Sequence, residues 1–112
     1  MIVRCALLVL LLAGCAVSSD VSRSLGARCD VNDECDGRCL SPGTDYPGGF
    51  CTLDCDDDGD CPGDGVCVQE QGNVCLFPCD DAAQCEFLGA GWACVARPAA
   101  GTSDPVMVCL GG

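Results

Sequence analysis

Fourteen cysteines occur in 112 residues, and twelve of them, Cys29, Cys35, Cys39, Cys51, Cys55, Cys61, Cys67, Cys75, Cys79, Cys85, Cys94 and Cys109, fall into three groups of four with a common frame. The frame is C-D-x4-C, then a third cysteine followed by Leu or Val, then a fourth cysteine preceded by Phe or Val. It opens at Cys29-Asp30, Cys55-Asp56 and Cys79-Asp80; its third cysteine precedes Leu40, Val68 and Val95; its fourth follows Phe50, Val74 and Val108. Several shared landmarks per group mark an internal repeat. The joints, Thr52-Leu53-Asp54 and Leu76-Phe77-Pro78, are short enough to stack the units in a row.

An even number of cysteines in a short chain poor in large side chains reads as a disulfide framework. Past the N-terminal run the aromatic residues are Tyr46, Phe50, Phe77, Phe87 and Trp92, and Ile is absent after Ile2. Such a chain is expected to need covalent help against its ordering entropy. Thiolate metal sites are disfavoured: the chain has no C-x-C or C-x-x-C pair and no His, the usual makings of a zinc shell. Four cysteines allow three pairings per unit, and spacing does not choose among them. The expectation taken forward is first with third and second with fourth: 29–39, 35–51, 55–67, 61–75, 79–94 and 85–109.

The fold class expected is therefore a small disulfide-rich protein of three tandem four-cysteine modules, each a helical turn plus a short β-hairpin, with little regular secondary structure. The modules span 29–54, 55–78 and 79–112. The aspartate after each opening cysteine is expected to cap the helical turn, a carboxylate accepting backbone N–H groups. Strands are predicted at Val66–Gln69 and Asn73–Leu76, and at Trp92–Ala96 and Val106–Leu110, with Gly72 favouring the hairpin between the first pair. Length variation collects at the hairpin tips, the expected place for a partner to bind. Trp92 is expected to be the main packing residue of its module rather than an exposed anchor.

At the N-terminus, Arg4 precedes the apolar run Ala6 to Ala13, far shorter than the ~20 residues of a membrane-spanning helix. It reads as an export signal covering residues 1–14. Its end, Leu12-Ala13-Gly14-Cys15, resembles the lipobox of bacterial lipoprotein precursors. That resemblance implies cleavage before Cys15, a diacylglycerol on its thiol and a further acyl chain on its amine, enough apolar length for stable anchoring. Ala16 in place of Asp points to the outer membrane. Residues 15–28, with four serines and no apolar periodicity, are expected to form the lipidated cysteine and a flexible tether reaching at most ~45 Å.

The stretch Cys55-Asp56-Asp57-Asp58-Gly59-Asp60-Cys61-Pro62-Gly63-Asp64-Gly65-Val66-Cys67-Val68 resembles the tandem four-cysteine modules of surface lipoproteins of myxobacteria and related bacteria. Its spacing is also similar to the cysteine-rich N-terminal region of Dickkopf proteins. The likeness covers roughly residues 29–109 and departs in the third unit, where Glu86-Phe87-Leu88 replaces the Pro-Gly pair. The bacterial resemblance implies a cell-surface or periplasmic protein and supplies no catalytic residues.

Charge narrows the function classes. A net charge of −12 disfavours nucleic acid and anionic headgroups and favours solubility, cations or a basic partner. With neither His nor Lys in the chain, the usual general bases for serine or cysteine nucleophiles are missing, and no enzyme activity is expected. Asp54, Asp56, Asp58 and Asp60 alternate around Gly59 like the first half of a calcium loop. The ninth and twelfth positions of such a loop are Pro62 and Gly65, so these aspartates are weak calcium candidates and no cofactor beyond the Cys15 lipid is expected. The function expected is a lipid-anchored envelope protein displaying a binding or structural module to another envelope or extracellular protein. A small hydrolase inhibitor presenting a rigid hairpin tip is the alternative.

Overall fold

The computed structural model describes residues 21–112; the expected export signal, Cys15 and the start of the expected tether lie outside the described residues. Among the described residues three short 3-10 helices alternate with three antiparallel hairpins. Helix η1 (Asn32–Glu34) precedes strands β1 (Arg38–Leu40) and β2 (Phe50–Thr52). Helix η2 (Asp58–Asp60) precedes β3 (Val66–Val68) and β4 (Val74–Leu76). Helix η3 (Ala82–Leu88) precedes β5 (Trp92–Pro98) and β6 (Pro105–Gly111). The second hairpin's strands are each a residue shorter than predicted, and the third hairpin's are longer.

Strand register explains the cysteine pattern. Cys39 lies opposite Cys51, Cys67 opposite Cys75, and Cys94 opposite Cys109, so each hairpin carries two sulfurs on one face. Facing cysteines are not bonded to each other. Each reaches a cysteine before its hairpin: Cys29–Cys39, Cys35–Cys51, Cys55–Cys67, Cys61–Cys75, Cys79–Cys94 and Cys85–Cys109, with S–S distances from 1.95 to 2.06 Å. Two crossing bridges thus fasten each 3-10 turn to the sulfur face of its hairpin. Because side chains alternate along a strand, the neighbours of the cysteines project from the other face. Of these, Leu40, Phe50 and Thr52, then Val68, Val74 and Leu76, then Val108 and Leu110 are buried, while Arg38, Val66, Ala93 and Val95 are partly so.

Those opposite faces meet in one apolar cluster, joined by Leu25, Tyr46, Phe77, Leu88 and Trp92. Phe50 is fully buried; its ring centroid lies 6.0 Å from Phe77, edge-on, and 5.5 Å from Trp92, tilted. The structure therefore departs from a simple row of units: Phe50 of the first group touches Trp92 of the third. The Gly111 N–H also donates to the Asp45 carbonyl at 2.7 Å, and a β-carbon at Gly111 would overlap the Thr44 carbonyl. A dozen apolar side chains besides the cysteines form this continuous core, seven placed by strand alternation and the rest supplied by the N-terminal segment, the loops, the third helix and the start of β5.

The caps also differ from expectation by one residue. The N-cap positions are Val31, Asp57 and Asp81, with Asp57 accepting from the Gly59 N–H at 2.8 Å and Asp81 from the Gln84 N–H at 3.3 Å. Asp30, Asp56 and Asp80 contribute their backbone N–H groups instead. These donate to the Glu34, Asp60 and Gln84 side chains at 2.6, 2.9 and 2.5 Å. The residue before each second cysteine is thus the reciprocal partner of a capping arrangement, and the x4 spacing places it one helical turn along. The Asp30 N–H, and after it the Val31 N–H donating at 3.3 Å, hold the Glu34 carboxyl below the usual carboxylate range.

Residues 21–28 are not a free tether. Leu25 is 1 % exposed within the common core, the Cys51 N–H donates to the Ala27 carbonyl at 2.8 Å, and the Gly26 N–H donates to the Cys51 carbonyl at 2.8 Å. An isolated leucine among serines carries no periodic signal; tertiary packing alone places it.

Candidate functional site: the joined hairpin tips

The hairpin tips, singled out from sequence as the surface for a partner, are drawn together. Tyr46 lies in the long first loop, 5 % exposed, because that loop folds back over the core. Its hydroxyl donates to Glu70 Oε2 in the second tip at 2.8 Å. Arg97, near the end of β5, approaches the other Glu70 oxygen with Nε at 3.2 Å. One side chain from each four-cysteine group thus meets at a single carboxylate, half-sheltered from water, where an ion pair is worth more than on an open surface.

Backbone contacts reinforce this junction. The Gln69 N–H donates to the Pro98 carbonyl at 2.8 Å, and the Ala100 N–H to the Cys67 carbonyl at 3.0 Å. The Gln69 side-chain amide reaches the Ala99 carbonyl at 3.0 Å and the Ser103 hydroxyl at 2.8 Å. Arg38 donates to the Gln71 carbonyl and stands 3.4 Å from Asp54. Glu70 and Arg97 were not singled out from sequence, and Tyr46 only as a scarce aromatic; a lone tyrosine in a Gly- and Pro-rich loop is the one signal that points there.

Burial, then the hydrogen bond and negative charge of Glu70, push the Tyr46 hydroxyl up to about 12. The neutral phenol is the form the fold favours, so its contribution to stability is complete below the free-tyrosine value of 10 and is lost as pH rises towards 12. Tyr46 is the only tyrosine, so phenolate absorbance near 295 nm reports it alone. The expected midpoint lies near 12 in the oxidised protein and near ~10 after reduction and denaturation. Glu70→Gln is expected to bring the folded value down; a folded midpoint equal to the unfolded one would show Tyr46 open to water.

The four calcium candidates are spread among other tasks. Asp54 faces Arg38. Asp58 accepts the Cys67 N–H at 2.8 Å, Asp60 accepts the Asp56 N–H, and the Asp56 side chain is exposed. Among the described residues, groups of three potential ligand atoms within 4.8 Å of one another are made of cysteines: Cys29, Cys35 and Cys39; Cys55, Cys61 and Cys75; Cys79, Cys85 and Cys109. All of these sulfurs are already in bridges. Trp92, 9 % exposed, is a packing residue rather than an exposed anchor, and the ring it packs on is Phe50 of the first group, which the sequence did not indicate. Among the described residues no helix is long and apolar enough to cross a membrane.

The chain matches no family model, and no curated protein and no solved structure shows a significant similarity to it.

Proposed function

We propose that this is a lipid-anchored protein of a bacterial cell envelope, at the outer membrane. Its exported part consists of three tandem four-cysteine modules, each a helical turn plus a hairpin, forming one rigid body that binds another envelope or extracellular protein or serves structurally. The observation that carries this reading is the apolar run ending in Leu12-Ala13-Gly14-Cys15 ahead of a fully paired cysteine framework. Bridges of this number are characteristic of an oxidising compartment, and the cysteine at the lipobox position supplies the link to the membrane. No nucleic-acid partner is proposed, given the charge of −12.

No catalysis is proposed either. The chain lacks His and Lys, and the more sheltered carboxylate at the tips is held by Tyr46 and Arg97. The inhibitor alternative asks for one protruding tip, whereas the second and third tips are hydrogen-bonded to each other; it is not the reading we favour.

With residues from Val21 onward packed, the arm from Cys15 to Val21 reaches only ~20 Å when extended. The acidic body therefore rides close to the headgroups. The test is acylation and fractionation in an exporting host. The full chain is expected to incorporate a labelled fatty acid and sediment with membranes, and Cys15→Ser to lose the label and leave the membrane fraction. An unlabelled, soluble parent chain would end the lipoprotein reading.

A further inference from the structure

The stretch Leu25-Gly26-Ala27-Arg28-Cys29 has the spacing of Cys51-Thr52-Leu53-Asp54-Cys55 and of Cys75-Leu76-Phe77-Pro78-Cys79. In the latter two, the fourth cysteine of one group is followed by residues that make a single antiparallel bridge to the outer edge of the next hairpin, Asp54 to Val74 and Pro78 to Val108. The Cys75 N–H donates to the Leu53 carbonyl at 3.2 Å and the Cys55 N–H to the Asn73 carbonyl at 3.3 Å. One unit later, the Cys109 N–H donates to the Phe77 carbonyl at 2.9 Å and the Cys79 N–H to the Met107 carbonyl at 3.0 Å. Each unit hands its second strand on to the next.

The first hairpin has no unit before it among the three, yet its edge carries a corresponding pair of backbone bonds, with one acceptor shifted by a residue: Gly48, three before the fourth cysteine, is used where the later units use the residue two before it. The Cys51 N–H donates to the Ala27 carbonyl at 2.8 Å and the Cys29 N–H to the Gly48 carbonyl at 3.2 Å. Even the position after the fourth cysteine matches: the Gly26 N–H donates to the Cys51 carbonyl, as the Thr52 hydroxyl donates to the Cys75 carbonyl at 2.6 Å. Leu25 stands where the other two stretches have a bridged cysteine. A β-carbon on Gly26, whose φ is +99°, would lie 2.7 Å from the Phe77 ring; that close approach requires glycine.

A tight turn holds the segment closed. The Ser22 N–H donates to the Leu25 carbonyl and the Leu25 N–H to the Ser22 carbonyl, at 2.8 and 3.1 Å. The first unit grips it from outside: the Asp36 N–H donates to the Arg23 carbonyl at 2.9 Å, the Ser24 hydroxyl donates to the Asp36 carboxylate at 2.8 Å, and Arg23 donates to the Asp33 carbonyl at 3.1 Å.

From these contacts we infer that the β2 edge is a docking site and that residues 22–28, a turn followed by an edge segment, are its occupant, a half-unit cap in which a buried leucine replaces the bridge sulfur. The inference rests on the tandem-module reading above and is independent of whether Cys15 is acylated. Repeat arrays need such ends, because an uncovered terminal unit exposes both core and strand edge to other chains. The cap also fixes where the arm to Cys15 leaves the body, beside Asp33 and Asp36.

Two measurements on the full exported chain test this. In the first, Leu25→Cys and Arg23→Cys each add one thiol, and reaction with an aromatic disulfide reagent is timed against the parent. The Leu25→Cys thiol is expected to react at least ~100-fold more slowly until denaturant is added; equal rates would make the segment an undocked arm and overturn the cap. In the second, amide exchange is followed at Cys51, Cys75 and Cys109 in the parent and in Leu25→Asp. All three amides are expected to be protected in the parent, and Cys51 alone to lose protection in the variant. Loss at all three would make Leu25 an ordinary core residue, against the proposal. An unprotected Cys75 or Cys109 amide in the parent would refute the tandem reading and the cap with it.

Discussion

Phe50→Ala is expected to cost the oxidised protein about 3–5 kcal/mol, the range for a large aromatic removed from a closed core. Phe50 has no exposed surface and touches aromatic rings from the two other four-cysteine groups. Its neighbour Cys51 is tied to Cys35, and Leu40 faces it across the hairpin, so the backbone has little freedom to collapse into the void. Denaturant unfolding followed by Trp92 fluorescence is the discriminating measurement, because the only tryptophan lies in the third group. Its midpoint is expected to fall along with the far-ultraviolet dichroism of the whole protein. A tryptophan transition that keeps its midpoint would mean that the groups fold as independent, sulfur-stapled beads and that the continuous core contributes nothing.

The second large effect concerns the bridges. Replacing Cys85 and Cys109 together by alanine is expected to destabilise the protein more than replacing Cys29 and Cys39. The former bridge closes 24 residues and the latter 10. Loop-closure entropy in the unfolded chain then assigns them about 3.4 and about 2.7 kcal/mol. Burial widens the difference, since Cys85 and Cys109 are fully enclosed and their sulfurs leave a void when removed, whereas Cys39 is half-buried. Denaturant midpoints of the two double variants, with bridge counts checked by intact mass, decide the order. The reverse order would place the stabilisation in local strain relief rather than in the restriction of the unfolded chain.

Much of the scaffold was legible in the chain because its information is local. The three-residue patterns Val66-Cys67-Val68 and Val74-Cys75-Leu76 have the period of two that sends sulfur to one face of a hairpin and apolar groups to the other, and Gly72 marks the turn between them. The cysteine spacings then place a helical turn before each hairpin. What stayed hidden depends on residues distant in sequence. Nothing near Phe50 announces Trp92, and Leu25 sits in a serine-rich stretch where the pattern offers only a tether. Glu70 looks like an ordinary solvated tip residue until the first loop brings Tyr46 to it and the third hairpin brings Arg97. The caps were displaced by one residue because the frame's aspartate is the conspicuous feature, while the acceptor that matters is Glu34, Asp60 or Gln84, three chemically different side chains at one position.

The contact between Gly111 and the Thr44-Asp45 peptide bears on copy number. Strand hand-over by itself is open-ended and would let duplication lengthen such a chain indefinitely. Here the third group curls back onto the first, with no room even for a methyl group at the seam. Inserting a further unit between the first and third groups would have to open that seam, so lengthening by internal duplication carries a penalty at this contact rather than at the joints.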